Sequence, residues 1–544
     1  MRTSAAENGI TLRAIAGTHV VLLAWSLSEQ DSEGVLGFAV HRTDHTEGEA
    51  YWLKGLKVFE ETDPGRARAS LRSHPVQGFT WSDFTAKRGH EYSYRVVAMR
   101  GTPTDLHQEE QVAVRVTTEA EDIGAHEVWF NRGAAASQEY TRRFANRPPS
   151  EVGAPAYRWL SRGLFEALMG FIGQARSGEC GLRVAAYQFS FGPVLQALSD
   201  AQRRGADVRI LYDARQPEVA VPNREAVEAL GILGLCTERT ANPSAIAHNK
   251  FIVLLRDHQP VAVWTGSTNF TEGGIYGHSN VGHVVRDGGV AQRYLQYWEL
   301  LNGNPVLKTL RPRVEDLTPT PGPSTAPESG TTALFSPRSG TELLDWYAGR
   351  VASATSLLCM TFAFGMNKTF VPAFQTPFAG LRYGLFDSAG TREDAKATVL
   401  ALRKQPFNRF AIGNFIKHNN FDRWLSERLS GLNRHARFIH TKYLLVDPLS
   451  NDPVVVTGSA NFSQASTTDN DENMLIVRGD QTVADIYLTE YFRLWNHYAF
   501  REWAATAPID ARPQFLKPDD SWRSPYYGNT PQSRQRRLFS GADS

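Results

Sequence analysis

Cysteine is almost missing from this sequence. Cys180, Cys236 and Cys359 are the only three in 544 residues. They are odd in number, far apart and in no metal-type spacing, so they supply neither a disulfide framework nor a zinc site and suit a reducing compartment. Charge of one sign is missing too. Lys and Arg total 58 against 57 Asp and Glu, a formal net charge of +1. Whole-chain charge therefore gives no support to nucleic-acid binding, a local basic groove aside. Long apolar runs are also absent. Near the N-terminus the longest is Val20-Val21-Leu22-Leu23-Ala24-Trp25, too short for the apolar core of a signal peptide with its usual flanks. No run reaches the roughly 18 apolar residues of a membrane span. These absences predict a soluble, cytoplasmic chain with no transmembrane segment, although export by a signal-free route would leave no trace.

What is present is ordinary globular composition, 42% hydrophobic and 21% charged, in a chain too long for one core. Residues 1–118 read as all-β. Val20 to Trp25, Gly37 to Arg42, Phe79 to Phe84, Tyr92 to Arg100 and Val112 to Thr117 are short β-rich runs between polar or Gly/Pro segments. Tyr92-Ser93-Tyr94-Arg95-Val96-Val97 alternates with period two, as a half-buried strand does. Trp25, the Gly37 to Arg42 strand, the Tyr92/Tyr94 pair and the closing Val116-Thr117-Thr118 resemble a fibronectin type III β-sandwich. Such a sandwich binds or spaces other parts, so its expected use is a protein contact and no chemistry is assigned to it.

The pattern changes over 119–315. Val128 to Phe130, Leu182 to Phe189 and Val208 to Asp213 read as strands; Ala156 to Ala175, Gly192 to Arg204 and Arg224 to Leu233 read as helices. Alternation of this kind implies an α/β sheet with helices on its faces. Residues 316–332 are rich in Pro, Ser and Thr without an apolar period, and read as a linker. Over 333–505 the series restarts. Ala333 to Phe335, Leu358 to Phe364 and Leu381 to Asp387 echo the first three strands. Asp213 to His248 is 35 positions and Asp387 to His440 is 53, so the second half carries an insertion, placed near Phe410 to Leu432. The expected fold is a duplicated, bilobal α/β/α sandwich behind a small all-β sandwich. Residues 506–544 read as an irregular tail packed on the body, with Arg534 to Arg537 as a solvated basic run.

The repeat also carries the chemistry. His248-Asn249-Lys250 is followed by Gly266-Ser267-Thr268-Asn269, and His440-Thr441-Lys442 by Gly458-Ser459-Ala460-Asn461. From His to Gly is 18 positions in both (266 − 248 and 458 − 440). On a strand, His and Lys two apart share one face, while Asn249 or Thr441 points to solvent or the other lobe. Pairing the repeats pools two His, two Lys, two Asn and two Ser, a cationic, donor-rich cluster without a carboxylate pair or metal-ligand pattern. It suits a phosphodiester: Lys and Asn hold the non-bridging oxygens, one His attacks phosphorus and the other protonates the leaving oxygen. Ser267 and Ser459 are secondary candidates for phosphate contacts. His278 and His283 read as core residues.

These motifs, His-x-Lys-x4-Asp and then Gly-Ser-x-Asn, resemble those of the phospholipase D superfamily over about 125–505. Residues 440–447, ending in Asp447, match fully; in the first copy Leu255 stands where the Asp belongs. The resemblance implies one active site between the lobes of a monomer, a phosphohistidine intermediate, and neither metal nor cofactor. It also implies that Glu472, aligned with Ser279, hydrogen-bonds His248 across the repeats while His440 faces Ser279 or Asn280. His248 is then the nucleophile and His440 the general acid, the reverse order remaining open, and Asp447 an orienting group. For the substrate, a phospholipid (hydrolysed or transphosphatidylated) is the first reading. A nuclease acting on DNA or RNA with the same residues is the second, and a non-catalytic binding protein with a decayed first motif the third.

Overall fold

Apolar residues at every second position set the N-terminal part. In the computed structural model, which describes residues 1–63, 65, 68–120, 124–133, 137–390, 392–413, 439–506 and 515–542, two antiparallel four-stranded sheets face each other there. One orders Arg2–Glu7, Ile10–Ala16, Val21–Ser26 and Thr80–Asp83; the other orders Asp105–Thr117, Glu91–Thr102, Gly37–Asp44 and Glu49–Trp52. Tyr92, Tyr94 and Val96 turn inward onto Trp25, Phe38 and Phe79. Trp522 and Tyr527, from the far end of the chain, complete this core.

That far end is not an irregular tail. It forms a 3-10 turn, Asp520–Tyr526, and a helix, Pro531–Ser540. Thr530 caps the helix by accepting from Ser533 N at 3.0 Å, and Pro531 occupies its first turn. The basic run lies on this helix. Arg536 is buried and donates to Tyr526 O at 3.0 Å and to Leu27 O at 3.3 Å, so the run is partly a structural clamp on the sandwich.

Two seven-stranded sheets make up the rest. We number their strands β1 (His126–Phe130), β2 (Cys180–Ala186), β3 (Asp207–Asp213), β4 (Cys236–Arg239), β5 (Lys250–Arg256), β6 (Gln259–Gly266), β7 (Val281–Val285), then β8 (Gly330–Ser336), β9 (Leu357–Phe362), β10 (Leu381–Phe386), β11 (Asn408–Ile412), β12 (Tyr443–Val446), β13 (Val454–Gly458) and β14 (Glu472–Arg478). The orders are β1-β7-β6-β5-β2-β3-β4 and β8-β14-β13-β12-β9-β10-β11, one topology used twice. In each, three strands run parallel, joined by helical crossovers, and the other pairs are antiparallel. The inner faces of both sheets share one core with helices Gly288–Asn302 and Gln481–Thr506. Each outer face is covered by helices of its own repeat. The architecture is therefore the duplicated α/β sandwich with an all-β N-terminal part.

Local expectations shift in three places. The helix expected over 156–175 is two, Ala154–Ser161 and Leu164–Ile172, broken where Arg162 (φ +50°) and Gly163 (φ +90°) are left-handed. Gly163 is required there, since a Cβ would come within 2.6 Å of the Trp129 ring. The helix expected over 224–233 is Pro217–Ala229. The linker is a packed strap, with helix Leu307–Leu317 running into its start and β8 taking its end. Trp346 donates to Thr325 O at 2.8 Å and Arg338 to Thr318 O at 2.7 Å. Of the expected insertion, Phe410 lies on β11 and 414–432 falls outside the described residues.

Candidate active site

His248 and His440 do not sit on strands but on the extended entries to β5 and β12. A strand-end aspartate seats each entry. Asp213 accepts from Ala247 N at 2.7 Å and Asp387 from Ile439 N at 2.9 Å. The lysines curl back on their own histidines. Lys442 Nζ donates to His440 O at 2.6 Å, and Lys250 Nζ donates to His248 O. Both glycines of the Gly-Ser-x-Asn turns are steric necessities. A Cβ on Gly266 would lie 2.3 Å from Val281 O, and one on Gly458 would lie 2.2 Å from Asn473 O.

The two imidazoles meet across the repeat boundary with ring centroids 6.5 Å apart. His248 Nδ1 lies 2.9 Å from Glu472 Oε2, and His440 Nδ1 lies 2.9 Å from Asn280 Oδ1. Glu472 therefore corresponds to Asn280, not to Ser279 as the sequence alignment had it. The repeat offset is constant at 192 (440 − 248, 458 − 266 and 472 − 280). The serines stand one layer back. Ser459 Oγ donates to Glu472 Oε2 at 2.6 Å and Ser267 Oγ to Asn280 Oδ1 at 2.8 Å. Each holds the partner of the opposite histidine.

Asn269 and Asn461 follow the serines at the cluster. The Asn269 amide donates to Gln188 Oε1 at 2.7 Å, while both Asn269 Oδ1 and Asn461 Oδ1 are buried with no protein partner. Asp447 is not in the cluster. Its carboxylate accepts from Thr355 N, Ser356 N and Leu357 N and from the Thr355 and Ser356 hydroxyls, at 2.7–3.0 Å. At the matching place Leu255 packs into the core, and a Cβ on Gly181 would be 3.0 Å from its Cδ1. Asn249 and Thr441 are fully buried, and Asn249 Oδ1 accepts from Asn473 at 2.8 Å across the repeats.

Two further side chains border the site. Tyr187 places its ring 5.0 Å from that of His248 and 5.2 Å from Lys250 Nζ. His278, expected in the core, has its ring centroid 5.6 Å from that of His440. Neither has a counterpart in the second repeat, where Ala363 and Asn470 stand, so repetition alone gave no sign of them. His283 is a core residue, bonded to His126 at 2.9 Å.

Burial dominates the electrostatics. It lowers His248 to about 4 against the pull of Glu472, and lowers Lys250 to about 7. His440 is pushed well below the usual histidine value by burial and then by Lys442 and His278. Lys442 is pushed well down by burial and then by Lys250. Burial acts to raise Glu472, but His248, Lys250 and Ser459 outweigh it and hold the carboxyl below its usual range. Crowded ammonium and imidazole groups around one carboxylate make a place that gains from an anion. Among the described residues, no three of His, Cys, Asp and Glu converge as metal ligands, and no helix is long and apolar enough to cross a membrane.

Fold and site together define a class: duplicated α/β proteins in which two halves pool one His, one Lys and one Asn each into a single site. A family model described as cardiolipin synthase, phospholipase D-like domain matches residues 169–301 and 411–495, taking in both histidines. Over those residues the chain is similar to phospholipase D-like domains. No curated protein matches it. Similar solved structures include polyphosphate kinase from Porphyromonas gingivalis (12% identity, TM-score 0.39, 62% of this chain and 48% of the kinase). Phosphatidylserine synthase from Haemophilus influenzae Rd KW20 is 12% identical, with TM-score 0.41 over 61% of this chain and 84% of that one. Nuc, a phospholipase D family member from Salmonella typhimurium, is 27% identical, with TM-score 0.21 over 25% of this chain and 83% of its own.

Proposed function

We propose that this chain is a phosphodiesterase working through a phosphohistidine without a metal, with His248 as nucleophile and His440 as general acid. The observation that carries this reading is the pair of facing imidazoles whose Nδ1 atoms have chemically different partners, Glu472 and Asn280. A carboxylate on Nδ1 fixes the tautomer with the lone pair on Nε2 and favours the cationic ring that forms on attack. His248 Nε2 bonds to phosphorus as the bond to the leaving oxygen breaks, and that oxygen takes the proton from His440 Nε2. In the second half, water gives a proton to His440 and its oxygen displaces His248 from phosphorus. Lys250, Lys442, Asn269 and Asn461 hold the non-bridging oxygens, whose charge builds through both steps.

The substrate we favour is a phospholipid, hydrolysed or passed to another alcohol, since the matching family model is named for cardiolipin synthase. The test is turnover of bis(p-nitrophenyl) phosphate with and without EDTA, followed by phosphatidylcholine vesicles against single- and double-stranded DNA. Release of nitrophenol unaffected by EDTA, with headgroup release from vesicles, is expected. Loss of all turnover in EDTA overturns the metal-free mechanism, cleavage of DNA alone overturns the lipid reading, and no turnover on any substrate makes the chain a binding protein.

A further inference from the structure

One buried ion network ties the first half of the duplicated site to the second. Asp471, next to Glu472 in the second repeat, accepts from two arginines of the first: Arg215 Nη2 at 2.9 Å and Arg239 Nε at 3.0 Å. Arg215 also lies 3.9 Å from Asp213, the carboxylate that seats the residue before His248. Arg239 is anchored in turn to Asn304 Oδ1 at 2.9 Å and Pro305 O at 2.8 Å. The backbone joins in, since Asp471 N donates to Ile246 O at 3.0 Å. Asp213, Arg215, Arg239 and Asp471 are all buried. The segment carrying His248 and the segment carrying Glu472 are thus bolted to each other by two cations and two anions.

In the other half the matching positions hold different residues. Asp387 still seats the residue before His440. Two positions on, where Arg215 follows Asp213, stands Ala389. Beside the strand end, where Arg239 pairs with Asp213, the register places Gly413. Asp471 is matched by Ser279 at the same 192-residue offset (471 − 279). All three members change together, and so does the histidine's partner, from Glu472 to Asn280.

We propose that Arg215, Arg239 and Asp471 are positioning residues that hold the Glu472 carboxylate on His248 and so commit that histidine to the nucleophile's role; this rests on the phosphodiesterase reading above. A carboxylate shared between two repeats needs such a bolt, because a shift of about 1 Å at a catalytic group lowers rate by up to about a hundredfold. The Asn280 amide carries no charge and makes no such demand.

Two variants test this. Asp471→Asn removes one charge but keeps the side-chain shape. The triple change Arg215→Ala, Arg239→Gly, Asp471→Ser places at these positions the residues that stand in the other half. Each is compared with Glu472→Gln by turnover of bis(p-nitrophenyl) phosphate and by NMR of nitrogen-15-labelled histidine. The expected result is a fall in kcat of at least about tenfold with KM within about twofold, together with loss of the downfield Nδ1 proton of His248. A folded variant that keeps both kcat and that resonance overturns the proposal. The resonance needs no turnover, so a wild type that is inactive but loses the signal on Asp471→Asn sinks the enzymatic reading while the bolt stands.

Discussion

Asn280 and Glu472 are one position of the repeat seen twice. They are 192 residues apart, as His248 and His440 are (472 − 280 and 440 − 248), and each reaches the histidine of the opposite half at 2.9 Å. Two supports behind them are also repeated: a serine hydroxyl donates to each, and a strand-end aspartate seats each histidine entry. These repeated supports therefore hold chemically different groups, a carboxylate and an amide, at the centre. An amide oxygen accepts a hydrogen bond without favouring a charged ring, whereas a carboxylate does both.

The difference predicts where phosphate is trapped. Acid quench during turnover of a labelled diester is expected to leave label on His248. His248→Asn abolishes both label and turnover, by at least about a thousandfold. His440→Asn slows turnover of substrates with a poor leaving group most, and spares an aryl ester whose oxygen needs little protonation. Label recovered on His440 in the wild type would invert the two roles.

Anion affinity should depend on pH through Lys250. Burial lowers this ammonium to about 7, so it is charged below that pH and neutral above it. Sulfate does not titrate in this range. Its competitive inhibition is therefore expected to hold steady below about pH 6 and to weaken by up to about tenfold per unit as pH rises past 7. Lys250→Met should flatten that step. An inhibition constant unchanged from pH 6 to 9 in the wild type counts against an ammonium at the anion's seat.

Asp447 belongs to stability rather than chemistry. Its carboxylate accepts from three backbone amides and two hydroxyls at the start of β9, and its backbone is left-handed, φ +44°. Asp447→Ala strands those donors and places a residue less tolerant of that φ, a loss of about 3 kcal/mol by urea unfolding. At a temperature where the variant stays folded, kcat on an aryl diester should remain within about threefold of wild type. A larger drop in kcat than in stability would return Asp447 to the site.

The repeat was legible because it is written in spacing. Two His-x-Lys pairs at equal distance from two Gly-Ser-x-Asn turns, with β-rich runs between, give the duplicated α/β fold and eight of the side chains that the structure gathers in and behind the site: both His, both Lys, both Asn and both Ser. What stayed hidden is of another kind. A one-residue slip in aligning 277–284 with 470–477 matched Glu472 to Ser279, because no local pattern fixes the register there; only the strand pairing Gly266–Gly282 and Gly458–Met474 does. Tyr187 and His278 have no repeated partner, so spacing could not mark them. The helix Pro531–Ser540 was masked by its polar composition. Its buried Arg536 depends on a sandwich surface far away in sequence.

If the Glu472/Asn280 difference assigns the roles, exchanging it should exchange them. Glu472→Gln alone leaves His248 with an uncharged acceptor and is expected to lower kcat by about tenfold to a hundredfold. Adding Asn280→Glu gives the carboxylate to His440 instead, within reach of Ser267, which already donates to that position. In the double variant, label trapped in mid-turnover should move from His248 toward His440. The bolt on Asp471 remains on the original side, so activity is not expected to return in full. The exchange thus separates two effects that coincide in the wild type, the charge on a histidine's partner and the rigidity with which that partner is held. Label that stays wholly on His248 in an active double variant would show that rigidity, and not charge, chooses the nucleophile.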